Sequence, residues 1–72
     1  MSQQPDRLIS KLIERLSDQD PITRRNAAGA LRLHGSRAVA AIPALIRLLD
    51  DKDPRVQEEA ERALTRLRTA AA

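Results

Sequence analysis

Apolar residues recur every three to four positions along the chain, and nowhere do they alternate with the period of two that a strand requires. Leu8, Ile9, Leu12, Ile13 and Leu16 form a first stripe, which predicts a helix with Pro5 in its first turn. Asp20 followed by Pro21 has the chemistry of an N-cap and a first helical residue. A second helix is therefore expected from there to about His34, where Gly35 supplies a left-handed stop. Ser36 can cap a third helix ending near Asp50. Within it Pro43 should kink the helix or shift its start, because it removes a hydrogen bond to the preceding turn. Asp53 and Pro54 repeat the cap for a fourth helix, which frays into Thr69 to Ala72.

The same cap appears twice because the chain repeats. At an offset of 33 residues, ten identities fall at helical spacing: Ile9, Leu12, Ile13, Leu16, Asp18, Asp20, Pro21, Ala27, Ala30 and Leu31 match Ile42, Leu45, Ile46, Leu49, Asp51, Asp53, Pro54, Ala60, Ala63 and Leu64. This predicts a single domain, 1–72, with repeat one over about 5–35 and repeat two over about 36–69. Stripe width suggests how the helices sort. The first helix is apolar along one stripe and carries Lys11, Glu14 and Arg15 elsewhere. The fourth likewise confines Val56, Ala60, Ala63, Leu64 and Leu67 to one stripe, so both read as outer caps. The second (Ile22, Ala27, Ala28, Ala30, Leu31, Leu33) and the third (Val39, Ala41, Ile42, Leu45, Ile46, Leu48, Leu49) are apolar over wider arcs. They are expected inside a self-contained four-helix unit.

Composition narrows the chemistry. The 72 residues include no Cys and no Phe, Trp or Tyr, so disulfides, thiolate metal sites, sulfur nucleophiles and base-stacking rings are all excluded. Thirteen basic residues against ten acidic ones give +3, and eleven of the thirteen are Arg, without a run of five like charges. The longest nearly apolar stretch, Ala38 to Ile46, is nine residues and is broken by Pro43, too short for a bilayer. The amino terminus lacks the basic and apolar regions of a signal peptide, and a cytoplasmic location without membrane association is expected. His34 stands alone, and Ser2, Ser10, Ser17 and Ser36 lie at caps or turns. No catalysis, cofactor or metal is therefore expected. His34 either satisfies the last carbonyls of its helix or packs in place of an apolar residue. Asp50, Asp51 and Asp53 form a small acidic turn without the loop of a calcium site.

The stretch from Ala41 to Leu64, with its Asp-Pro turn followed by spaced Ala, Ala and Leu, resembles a HEAT repeat of the phycobilisome-lyase type, and Leu12 to Gly35 looks like a second copy. The resemblance implies an all-α fold, an α-solenoid fragment of two HEAT-like helical hairpins, with four helices in right-handed superhelical stacking. Such repeats serve as scaffolds in adaptors, bilin-handling proteins, translation factors and DNA glycosylases, so the fold alone does not select a function. An accessory role related to bilin lyases is one implication. In that family an Asp near the turn and an Arg early in the second helix often form a ladder between repeats. Asp20 and Arg24 match this pattern, while Gln57 occupies the Arg position of the second unit. Thr23 stands where the family usually has Val, and His34 where it has Ile.

One stripe departs from the resemblance. Ile22, Asn26, Gly29 and Leu33 are spaced i, i+4, i+7 and i+11 on the second helix, and their counterparts on the fourth are Arg55, Glu59, Arg62 and Arg66. Three of these positions are usually solvated in the family. The stripe either packs on the neighbouring repeat within the chain or meets a second molecule, most simply a second copy. The second helix carries Arg24, Arg25 and Arg32 with no acid, and the fourth carries Glu58, Glu59 and Glu61 in its first half. A twofold axis would set basic helix against acidic helix twice. The expected interface is Ile22, Arg25, Asn26, Gly29, Arg32, Leu33, Glu58, Glu61 and Arg62. The expected function is a non-catalytic interaction scaffold with a protein partner, in a homodimer formed through the second helix. A competing reading gives Arg25, Arg32, Arg62 and Arg66 to nucleic acid or another anion. Glu58 and Glu61 nearby, the modest net charge and the missing aromatics favour a solvated face of mixed sign instead, so a nucleic-acid partner is not expected.

Overall fold

The computed structural model describes residues 7–71; Pro5, read above as part of the first turn, and Ala72 lie outside them. The described residues are helical throughout their ordered elements. α1 (Arg7–Arg15), α2 (Pro21–His34) and α4 (Pro54–Ala71) are continuous helices, and the short α3 (Ile42–Arg47) is flanked by 3-10 turns at Gly35–Ala41 and Leu48–Asp50. The single third helix expected from Ser36 to Asp50 is thus corrected to a composite segment. Its cause is Pro43, which lies in the first turn of α3 and has no N–H to offer the Val39 carbonyl. The Ile42 N–H takes that carbonyl in the tighter 3-10 mode, and α-geometry begins only there. Ser36 does not cap anything: the 3-10 stretch starts with no side-chain cap and α3 starts from Ala41.

The two Asp-Pro turns behave as read. The Asp20 carboxylate accepts the Ile22 N–H at 2.9 Å, and Asp53 accepts the Arg55 N–H at 2.8 Å, each with Pro as the next residue. Asp18 and Asp51, 33 positions apart, accept the N–H groups of Asp20 and Asp53 in the same way. Gly35 ends α2 at φ +60°, where a side chain would be strained, although its ψ of −131° lies outside the left-handed helical well. α4 holds helical geometry to Ala71 rather than fraying from Thr69, and the Thr69 hydroxyl donates to the Thr65 carbonyl.

The core assembles around α4, which touches α2, α3 and both 3-10 turns. Val56, Ala60, Ala63, Leu64 and Leu67 are all buried, and the two alanines let neighbouring helices approach closely. This overturns the expectation that α4 is an outer cap; α1, which packs on α2 and the Gly35–Ala41 turn, retains that character. It also overturns the expectation that the broad apolar arcs lie wholly inside. Ala28, Leu31, Ala41 and Leu45 are buried, but Ile22, Leu33 and Ile46 reach the surface.

The positions 33 residues apart explain Thr23 and His34. Val56 and Leu67 are fully buried where α4 faces the rest of the chain, whereas Thr23 and His34 are only half-buried on the corresponding face of α2. A half-wet position tolerates a hydroxyl or an imidazole that a dry one would not.

Candidate functional site

Two clusters join the first half of the chain to the second. At the turns, the Arg24 guanidinium meets Asp51 through two bonds, Nε to Oδ1 at 2.8 Å and Nη2 to Oδ2 at 3.0 Å. Its Nη1 donates to the carbonyls of Asp18 and Gln19 at 2.7 and 2.9 Å. One side chain therefore closes its own turn and grips the other. Gln57, at the position matching Arg24, donates its side-chain amide to the Asp51 carbonyl, so it closes a turn but reaches no further. The ladder acid is Asp51; Asp20, assigned that part by the family pattern, is turned onto the helix start as a cap. The Arg24 guanidinium, together with the Asp53 N–H, holds the Asp51 carboxyl below the usual carboxylate range. Arg55 does the same to Asp53, first through its side chain and then through its backbone N–H, lowering that pKa to about 2. Two of the three acids of the turn, Asp51 and Asp53, are thereby engaged by Arg24 and Arg55. No group of three or more metal-ligating side chains occurs among the described residues.

The second cluster lies between α2 and α4. Gly29 sits against Glu59, whose carboxylate would stand 3.4 Å from a Cβ at position 29. Glu59 is only 9% exposed and accepts the Arg32 Nε–H at 2.7 Å, while Arg62 Nη1 lies 3.6 Å from its other oxygen. Sequence reasoning placed Glu59 in the α4 stripe but left it out of the interface. The available signal was Gly29, since a residue without a side chain on one helix leaves room for a long one on its neighbour. The attraction expected between a basic second helix and an acidic fourth helix of two molecules is, at Arg32 and Glu59, satisfied inside one molecule.

Of the expected interface residues, Arg25, Asn26, Gly29, Arg32 and Leu33 line one groove on α2 beside Glu59, while Ile22, Glu58, Glu61 and Arg62 lie outside it. Gly29 and Arg32 belong to the Glu59 cluster. Arg25 leans on Asn26, with Nη2 3.3 Å from the amide oxygen. Glu58 and Glu61 are exposed on α4. Ile22 and Leu33, 37% and 70% exposed, lie three turns apart on α2, about 16 Å at 1.5 Å per residue. Of the four Arg residues given to an anion, Arg32 and Arg62 face Glu59, which lowers the positive field they present. His34 lies half-buried in the last turn of α2.

No helix among the described residues is long and apolar enough to cross a membrane. Neither a curated protein nor a solved structure shows significant similarity to the chain. A family profile described as HEAT repeats matches residues 9–72. The match covers both Asp-Pro turns, the continuous helices α1 (but for its start), α2 and α4, the short α3 segment, and the α2–α4 contact that Gly29 and Glu59 make, and on that extent the chain belongs to the HEAT repeat family.

Proposed function

We propose that this chain is a non-catalytic protein-interaction scaffold of the cytoplasm that self-associates through α2. HEAT repeats generally mediate protein interaction, and the observation that carries the finer reading is Leu33, an aliphatic side chain 70% exposed on a helix whose neighbouring groove holds Gly29, Ala30 and Arg32. With the Arg32 Nε–H held by Glu59, Arg25 on α2 and Glu58 and Glu61 on α4 supply the charged contacts to a second copy. They carry opposite sign and can meet twice about a twofold axis. We read the scaffold as two HEAT-like hairpins of the phycobilisome-lyase type, about 5–35 and 36–69, stacked in the right-handed sense. The recurrence of the same Asp caps 33 residues apart supports that division.

A dilution series followed by backbone amide chemical shifts tests the proposal. Shifts that move with concentration should cluster on α2 between Ile22 and Leu33 and on the Glu58–Glu61 turn of α4. Shifts confined to α1 or α3, or none at all, would overturn it.

A further inference from the structure

We propose that Arg32 of α2, together with Arg62 and Arg66 of α4, binds a carboxylate-rich segment of a partner protein, and that Glu59 is the positioning residue of this site. Glu59 is buried between the two helices in the space that Gly29 leaves. It takes the Arg32 Nε–H at 2.7 Å, which fixes the plane of that guanidinium and leaves both terminal nitrogens without a partner among the described residues. A planar fork held from behind is the geometry that receives a carboxylate through two parallel hydrogen bonds. The Arg32 side chain is 33% exposed, so the fork is open to solvent. Arg62 and Arg66 stand one turn apart on α4 and line a groove with Arg32, Thr65 and Thr69. Glu61 lines the same groove, and this selects the class of ligand. A polynucleotide with a phosphate at every step would meet that carboxylate, and it finds no ring on which to stack. A peptide can place acids on the Arg residues and a neutral residue beside Glu61.

The inference rests on the protein-interaction reading but not on self-association. Fluorescence anisotropy with a labelled Glu-rich peptide tests it, in the native sequence and in Ile22→Glu, with a single-stranded oligothymidylate as the competing arm. Saturable peptide binding is expected, weakened about tenfold by Arg66→Glu or Arg62→Glu, as for loss of a contact charge. Arg47→Glu, which changes the net charge equally from an exposed place on α3, should leave it unaltered. Glu59→Gln makes the protein more basic and yet should bind the peptide more weakly, because the Arg32 fork is released. Where Glu59→Gln lowers the folded fraction, Arg66→Glu, at an exposed position, carries the test. Absence of saturable binding, equal losses with Arg47→Glu, tighter binding in folded Glu59→Gln, or a preference for the oligothymidylate would each overturn the inference. A monomeric protein that binds the peptide refutes self-association alone, and a self-associating one that does not bind it refutes this site alone.

Discussion

Gly29 of α2 and Glu59 of α4 fit one another: a Cβ at position 29 would lie 3.4 Å from Glu59 Oε2, at the inner edge of ordinary van der Waals contact. The missing side chain gives Glu59 the space from which it holds Arg32, and so joins helix packing to surface chemistry at one point.

The contact leaves room for a methyl group but not for more. Gly29→Ala should stabilise the protein by about 1 kcal/mol, the helix propensity that glycine forgoes, because a Cβ there meets Glu59 Oε2 at 3.4 Å, an ordinary van der Waals distance. Gly29→Leu should displace Glu59 and lose stability. Chemical denaturation with an unchanged slope is the measurement.

Arg24 makes four hydrogen bonds across both turns, to Asp51 and to two carbonyls. The two bonds to Asp51 are partly buried, with side-chain exposures of 13% for Arg24 and 9% for Asp51, so water replaces them less well than the two exposed bonds to the carbonyls. Arg24→Ala should therefore lower stability. Arg24→Lys should recover little of it, since one ammonium cannot serve a bidentate carboxylate and two carbonyls together. For a chain of this size the whole stability is roughly 4–10 kcal/mol, so the melting temperature should fall visibly.

Matching positions should respond unequally. Val56→Thr buries a hydroxyl on a face with no exposure and should lose about 1–3 kcal/mol, whereas Thr23→Val, on a half-wet face, should change stability by less than about 0.5 kcal/mol. Equal effects would contradict the placement of α4 at the centre of the core.

Acid should weaken the turns. Asp51 and Asp53 are both held below their ordinary values in the folded state, Asp53 at about 2. Each contributes stability that is present in full above the unfolded carboxylate value of about 4 and is lost as pH falls toward the folded value. Stability measured from neutral pH downward should hold to about pH 4 and decline between there and about pH 2. Asp53→Asn should flatten part of that decline.

The features written in local chemistry were legible from the sequence. Asp20 with Pro21 and Asp53 with Pro54 fix helix starts wherever they occur, the Leu8–Leu16 stripe gives α1, and Pro43 announced a displaced helix start. What was not legible depends on neighbours. The apolar stripe of α4 is narrow, yet Ala60 and Ala63 allow contacts on two sides, and stripe width does not report how many elements surround a helix. Glu59 reads as one more solvated acid until Gly29 is placed opposite it. The ladder acid was misassigned because Asp18, Asp20, Asp51 and Asp53 all lie at turns, and only the reach of Arg24 distinguishes Asp51. Leu33 was legible only as an alternative, since its place in the apolar arc suggested the interior and its place in the Ile22–Leu33 stripe suggested a second molecule; the fold leaves it 70% exposed.

Self-association requires α2 to close against a second copy. The solution mass by light scattering at micromolar concentration, taken side by side for the native sequence, Ile22→Glu and Leu33→Glu, addresses it directly. A dimer mass is expected for the native chain and a monomer mass for both variants; a monomer mass for all three, or a dimer mass that neither substitution alters, would contradict closure through α2.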